Sequence, residues 1–160
     1  MDERIIGIIL LILLVIIFQI LWFETDVDFL NRTVGAKKLL DKRNKYQRIR
    51  VLDYNLNEYG VDKCMILDNE IQFCKGEEYV YHEMISHFPA YYIKNLRHVV
   101  IVGGGDLMAL REIMKYKNVK KVVVLELDDR VVETCVKYFK TSKFSNDPRV
   151  QIIYGDADKT

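Results

Sequence analysis

Gly103-Gly104-Gly105-Asp106, Glu126 and Asp156 are the residues whose types and spacing could do chemistry in this sequence. The glycines lie between an apolar run, His98 to Val102, and a stretch of helical character, Leu107 to Tyr116. Such a cluster lets backbone approach a ligand closely, because no Cβ intervenes and the next helix offers free N–H groups at its amino terminus. The dinucleotide fingerprint GxGxxG needs a third glycine for close helix packing, and Met108 stands in that place, which disfavours nicotinamide and flavin cofactors. Asp106 would repel a pyrophosphate there and attract a cation such as a sulfonium or an amine. A second apolar run, Lys121 to Leu125, ends in Glu126, a position from which a carboxylate can accept hydrogen bonds from both ribose hydroxyls of a nucleoside. Asp128, two residues on, suits the N-cap of the following helix better. In Gly155-Asp156-Ala157 the aspartate either accepts the adenine amino group or caps the next helix.

The elements that must position these residues follow from periodicity. His98–Val102, Lys121–Leu125 and Val150–Tyr154 read as strands, and their continuous apolarity predicts burial on both faces of a parallel sheet. Leu107–Tyr116 and Asp129–Phe139 read as the intervening helices, with Cys135 on the apolar face of the second. This β-α-β-α-β order is the first half of a doubly wound α/β fold; with the glycine turn, the strand-end Glu126 and Gly155-Asp156-Ala157, the incomplete parallel sheet resembles the AdoMet-methyltransferase-like class. Before it, Ile49, Val51 and Leu52, then Met65-Ile66-Leu67, a turn at Asp68-Asn69 and Ile71-Gln72-Phe73 predict a small antiparallel hairpin unit. Glu77 to Phe88 shifts to helical spacing, with Tyr81, Met84, Ile85 and Phe88 on one stripe and Pro89 as a stop.

Ile5 to Phe23 is a run without charge, and a helix of that length would reach roughly 28 Å, close to the hydrocarbon thickness of a bilayer. The run is longer than the apolar h-region of a signal peptide and no small-residue cleavage site follows it, so the expectation is a single-pass transmembrane helix over residues 5–23. One basic residue precedes it, while Arg32, Lys37, Lys38, Lys42 and Arg43 follow, which places the remainder in the cytoplasm. The expected division is a tail (1–4), the anchor (5–23), a basic juxtamembrane linker (24–45), the hairpin unit (46–76) and the first half of a nucleoside-binding α/β domain (77–160). The 24 Lys and Arg against 23 Asp and Glu leave no basic field for nucleic acid. Cys64, Cys74 and Cys135 fit neither a complete disulfide framework nor a zinc site, and free thiols agree with a cytosolic location.

Several linked segments go further. Leu67-Asp68-Asn69-Glu70-Ile71-Gln72-Phe73, then Glu78-Tyr79-Val80-Tyr81-His82-Glu83-Met84, then Val102-Gly103-Gly104-Gly105-Asp106 with Leu110-Arg111-Glu112 resemble spermidine synthase, a polyamine aminopropyltransferase. The family forms are an LDG-x-x-Q hairpin, a Y-[QH]-E helix and a GGGDG-x-x-x-RE turn, and the resemblance covers roughly residues 46 to 158. It implies transfer of an aminopropyl group from decarboxylated S-adenosylmethionine, a co-substrate and not a resident cofactor, to a polyamine, releasing methylthioadenosine. Carried over by motif, Gly103, Gly104 and Gly105 cradle the nucleoside, Glu126 holds the ribose, Asp156 the adenine and Asp106 the aminopropyl cation. Tyr81 and His82 match the pair lining the substrate cleft, and Gln47 matches a nucleoside-contacting glutamine.

The chain departs from the family in two places. Leu107 and Met108 replace small residues after the glycine turn, which would narrow the site beside the sulfonium. No residue present matches the D-[ST]-x-D-P loop that supplies the base for the attacking amine, and a protonated amine is no nucleophile. The expectation is therefore a spermidine-synthase-like chain inactive by itself, completed by a second copy or a complementing chain. The alternatives are a catalytically silent nucleoside- or partner-binding protein and a methyltransferase using intact AdoMet.

Overall fold

The structure is a computed structural model describing residues 3–22, 31–32, 34–56 and 61–159, with the side chains of 3–7, 19–22 and 61 outside that description. Residues 1–2 of the expected tail, Phe23 of the expected anchor, 24–30 of the expected linker and Thr160 lie outside the described residues. Helix α1 is Glu3–Trp22, and its described side chains, Ile8 to Phe18, are all exposed. Among the described residues no helix is long and apolar enough to cross a membrane. This corrects the expected single-pass membrane location and, with it, the cytoplasmic placement of the remainder.

Strands β1 (Lys37–Arg43), β2 (Arg48–Leu56), β3 (Val61–Leu67) and β4 (Glu70–Cys74) form an antiparallel meander in that order. Residues 37–43, read as linker, are thus an edge strand. A register shift between Lys38 and Leu40 breaks the alternation that would have marked it. A second shift, between Met65 and Ile66, sets Cys64 opposite Cys74, and the two form a disulfide with Cα atoms 4.0 Å apart. The expectation of unpaired cysteines fails at this bulge. Counted outward from the Asp68-Asn69 turn in even register, Cys64 would face Phe73. Cys135 is a buried thiol.

Alternation on β3 divides the packing. Cys64 and Ile66 join Leu52 and Tyr54 in one cluster, while Met65 packs with Ile49, Phe73, Met108, Val131 and Cys135 in another that joins this sheet to the α/β unit. Helix α2 (Glu78–Tyr91) follows and runs through Pro89 instead of stopping before it. It buries Glu78, His82, Ser86 and Ala90, and leaves the predicted stripe of Tyr81, Met84, Ile85 and Phe88 49–63% exposed.

The α/β unit comprises β5 (His98–Val102), α3 (Met108–Ile113), β6 (Lys121–Glu126), α4 (Asp129–Phe139), α5 (Ser142–Ser145) and β7 (Val150–Tyr154). The three strands are parallel in the order β5-β6-β7. Leu110 and Ile113 of α3 and Val132 of α4 pack on the sheet face that carries Val122 and Val124. On the other face Val100 and Val102 are 62% and 67% exposed, so β5 is not buried on both sides as its composition predicts.

Candidate functional site

The site residues gather at the carboxyl ends of β5, β6 and β7, where open α/β sheets bind ligands. Gly103 turns out of β5 with φ of +70°, a conformation glycine adopts at little cost, and its N–H donates to the Leu125 carbonyl at 2.8 Å. Gly105 is glycine for another reason: a Cβ there would stand 2.7 Å from Glu126 Oε2 and 2.7 Å from Val131 Cγ1. The space is taken by the Glu126 carboxylate. Its Oε2 accepts from the Gly105 N–H at 2.8 Å and its Oε1 from the Asp128 N–H at 3.0 Å. The Gly155 N–H donates to the Glu126 carbonyl at 2.9 Å, so the turn leading to Asp156 follows directly beside it.

Asp106 is half-buried, accepting from the Met108 N–H at 2.7 Å, with its other oxygen 3.6 Å from His82 Nε2. His82 is only 3% exposed. Its Nδ1 lies 2.6 Å from the Glu78 carbonyl and 2.9 Å from Glu78 Oε2. Burial disfavours the charged imidazole, but the hydrogen bond and charge of Asp106, aided by Glu78, outweigh it and raise the pKa. Tyr81 is exposed and meets the His82 ring edge-on at 5.2 Å between centroids. Leu107 and Met108 are both buried in the hydrophobic clusters.

Gln47 donates to Asp128 Oδ2 at 2.9 Å, and Asn44 donates to the same carboxylate at 2.9 and 2.7 Å. Asp128 also accepts from the Arg130 N–H at 3.1 Å as the N-cap of α4, and so ties the β1–β2 turn to the site. Asp156 accepts from the Asp158 N–H at 3.1 Å and pairs with Lys159 at 3.1 Å. Among the described residues no cluster of His, Cys, Asp and Glu could hold a metal ion.

Behind the site, Arg111 grips Glu78 through both guanidinium ends at 2.5 and 2.9 Å and donates to Glu112 at 2.7 Å. Glu112, almost fully buried, also accepts from His87 at 3.0 Å and pairs with Lys115. Burial would raise its pKa, but Lys115, Arg111 and His87 hold it at about 2. Sequence reasoning missed Asn44 and the partner role of Glu78. An Asn followed three residues later by Gln, just before a strand, was the only local sign of the first.

The spermine/spermidine synthase domain model matches residues 78–160. The chain belongs to the spermine/spermidine synthase family. The polyamine aminopropyltransferase of Thermoanaerobacter sp. (strain X514) is 39% identical over 142 residues, covering 87% of this chain and 50% of that protein. The one from Methanocaldococcus jannaschii is 38% identical over 142 residues, covering 87% and 47%. The crystal structure of spermidine synthase from Thermotoga maritima superposes with a TM-score of 0.70 at 30% identity, covering 75% of this chain and 42% of that one. A spermidine synthase in complex with the transition-state analogue AdoDATO gives 0.69 at 31%, covering 74% and 40%. The chain thus spans about half the length of the family members it matches. Arg111 and Glu112, after the glycine turn, tie α3 to α2 through Glu78 and His87.

Proposed function

We propose that this chain is the nucleoside-binding half of a polyamine aminopropyltransferase, taking decarboxylated S-adenosylmethionine as co-substrate. The carrying observation is the Glu126 carboxylate, buried at the end of β6 and pinned by two backbone N–H groups beside a glycine turn that leaves no Cβ in the way. Each carboxylate oxygen has a second lone pair, so the two ribose hydroxyls have one acceptor apiece. Gln47, held on Asp128 beside this point, is assigned to the nucleoside. Asp156 would meet the adenine amino group by exchanging the exposed Lys159 ammonium for it.

Asp106 would face the aminopropyl cation, with the exposed Tyr81 lining the polyamine cleft. In the reaction a neutral amine attacks the methylene carbon bound to sulfur. The C–S bond breaks with its electron pair going to sulfur, and the new ammonium gives its proton to a base. Among the described residues none matches that base, and we assign it to polypeptide beyond them, since the relatives that match carry about twice this length.

Methylthioadenosine titrated into the full chain should give saturable uptake of one molecule, and Glu126→Gln should weaken it at least ~100-fold, since a charge-assisted pair is lost. Absence of uptake by the parent chain sinks the proposal. With decarboxylated AdoMet and putrescine the chain alone should release no methylthioadenosine; turnover that depends on Asp106 would show that it carries its own base.

A further inference from the structure

Strand β1 and helix α4 enclose a hollow of about 390 Å³, outside the nucleoside pocket. Hydrogen bonds close both of its ends. At one, the Asn44 side chain donates to the Asp128 carboxylate at 2.9 and 2.7 Å; at the other, the Tyr138 hydroxyl donates to the Leu39 carbonyl at 3.2 Å. Leu40 and Ile49 give the hollow an apolar floor, continuous with the cluster that buries Val131 and Cys135 of α4. Its walls are cationic. Lys42 and Arg43 come from the end of β1, while Arg130 and Lys137, seven residues apart, share one face of α4.

Against these four cations stands one carboxylate, Glu133, which Arg130 already holds at 2.8 Å. Arg43 reaches Asp68 at 3.7 Å, both side chains well exposed, and among the described residues Lys42 and Lys137 pair with no carboxylate. A chain whose formal net charge is +1 thus gathers a net three positive charges around one hollow. Cations on a convex solvated face spread apart, but here two rows face each other across a cavity. Walls of low dielectric strengthen both their mutual repulsion and their attraction for an anion between them.

We infer that this hollow binds the diphosphate group of a small molecule. Lysine and arginine offer donors and no acceptors, so the ligand must bring negative charge and acceptor oxygens, and phosphate oxygens match the guanidinium fork. The volume lies in the range of small-molecule sites, roughly 300–1,000 Å³, which a lone orthophosphate would leave mostly empty. The closed ends exclude a continuing polyanion such as a nucleic acid strand. An organic part of the ligand would lie on Leu40 and Ile49. The inference does not depend on the functional reading, because Asp106 repels a diphosphate from the nucleoside pocket.

The test is calorimetric titration of metal-free pyrophosphate into the full chain, held in mild non-ionic detergent because the described side chains of α1 are apolar and exposed. The expected result is saturable uptake of one pyrophosphate per chain, at least ~10-fold tighter than orthophosphate, with slowed hydrogen exchange confined to the β1–β2 turn and α4. Lys42→Ala with Lys137→Ala should lower the affinity at least ~10-fold, since each lost charge-assisted bond is worth about 1.5–3 kcal/mol. Lys117→Ala with Lys120→Ala removes the same charge outside the hollow and should leave the affinity at the parental value. Thermal unfolding of both double variants should match the parent, because all four lysines are exposed. Saturating methylthioadenosine should leave pyrophosphate in place. Absence of saturable uptake, equal affinity for orthophosphate, equal loss in the two double variants, or displacement by methylthioadenosine would overturn the inference.

Discussion

Glu126 and Gly105 act as one unit, because the carboxylate occupies the volume that any side chain at 105 would need. Gly105→Ala should therefore displace the carboxylate or Val131, costing about 1–3 kcal/mol in denaturant unfolding, as overpacking does. It should also weaken methylthioadenosine uptake at least ~10-fold, and calorimetry showing parental affinity would contradict the role given to Glu126. His82 yields a second test. Its raised pKa comes from Asp106 and Glu78 acting against burial, and the rings of Phe73 and Tyr81 are its other neighbours. A raised folded-state pKa means that the stabilisation is complete below the ordinary value near ~6.5 and fades as pH rises through the folded value. A cationic co-substrate at Asp106 competes with that proton, so affinity for decarboxylated AdoMet should climb as pH rises through the same window. His82→Gln has no proton to lose, and its affinity should be flat; an equally steep profile in that variant would remove His82 from the account. Glu126 was legible because a strand-tip acid has few other uses, whereas the burial of His82 was not, since its partner Asp106 lies 24 residues away.

At the scale of elements, β5, β6, β7 and α4 were legible nearly to the residue, because each runs from a polar boundary to a glycine, an acid or a basic turn. Strand β1 was hidden by its bulge and its lysines, and the pairing of Cys64 with Cys74 by the bulge in β3. The periodicity of α2 located its apolar stripe but carried no information on which side the described protein covers. What holds α2 in its inverted orientation is charge, through Glu78, Arg111, Glu112 and His87. Glu112, held at about 2, contributes stability that is present above its ordinary value near 4.5 and is lost as pH falls toward 2. Glu112→Gln should be destabilised at neutral pH by up to about 3 kcal/mol and should lose much of the acid sensitivity of the parent. Thermal unfolding followed from pH 7 to pH 3 decides this, and parallel curves for the two proteins would exclude Glu112 as the titrating group. The disulfide acts on the unfolded chain instead: closing a loop between residues 10 apart is worth about 2–3 kcal/mol in the chain-entropy account. Cys64→Ser with Cys74→Ser should lose about that much in urea and keep methylthioadenosine uptake, because neither sulfur touches the site. Loss of uptake in a folded double variant would place the hairpin closer to the ligand than its strands suggest.

Across the whole molecule, the antiparallel sheet and the α/β unit share one hydrophobic cluster, in which Met65 is fully buried against Val131 and Cys135 of α4. The Cys135 thiol donates to the Met65 sulfur at 3.2 Å. The polar contacts of Asn44 and Gln47 with Asp128 lie along the same junction, so packing in the cluster and geometry at the ligand site are linked. Met65→Ala should cost about 2–5 kcal/mol as a buried large-to-small change. If the junction positions the site, the variant should also lose protection of the β1–β2 turn amides in hydrogen exchange and bind methylthioadenosine more weakly, while β5–β7 keeps its protection. A hydrophobic cavity that merely lowered global stability would slow-to-fast shift every slow amide by the same factor, and ligand affinity of the folded fraction would stay at the parental value. The two patterns separate a sheet that docks the glutamine and asparagine onto Asp128 from one that only adds buried area. The first is expected, because Asn44 and Gln47 of the β1–β2 turn both donate to Asp128, two residues beyond the end of β6.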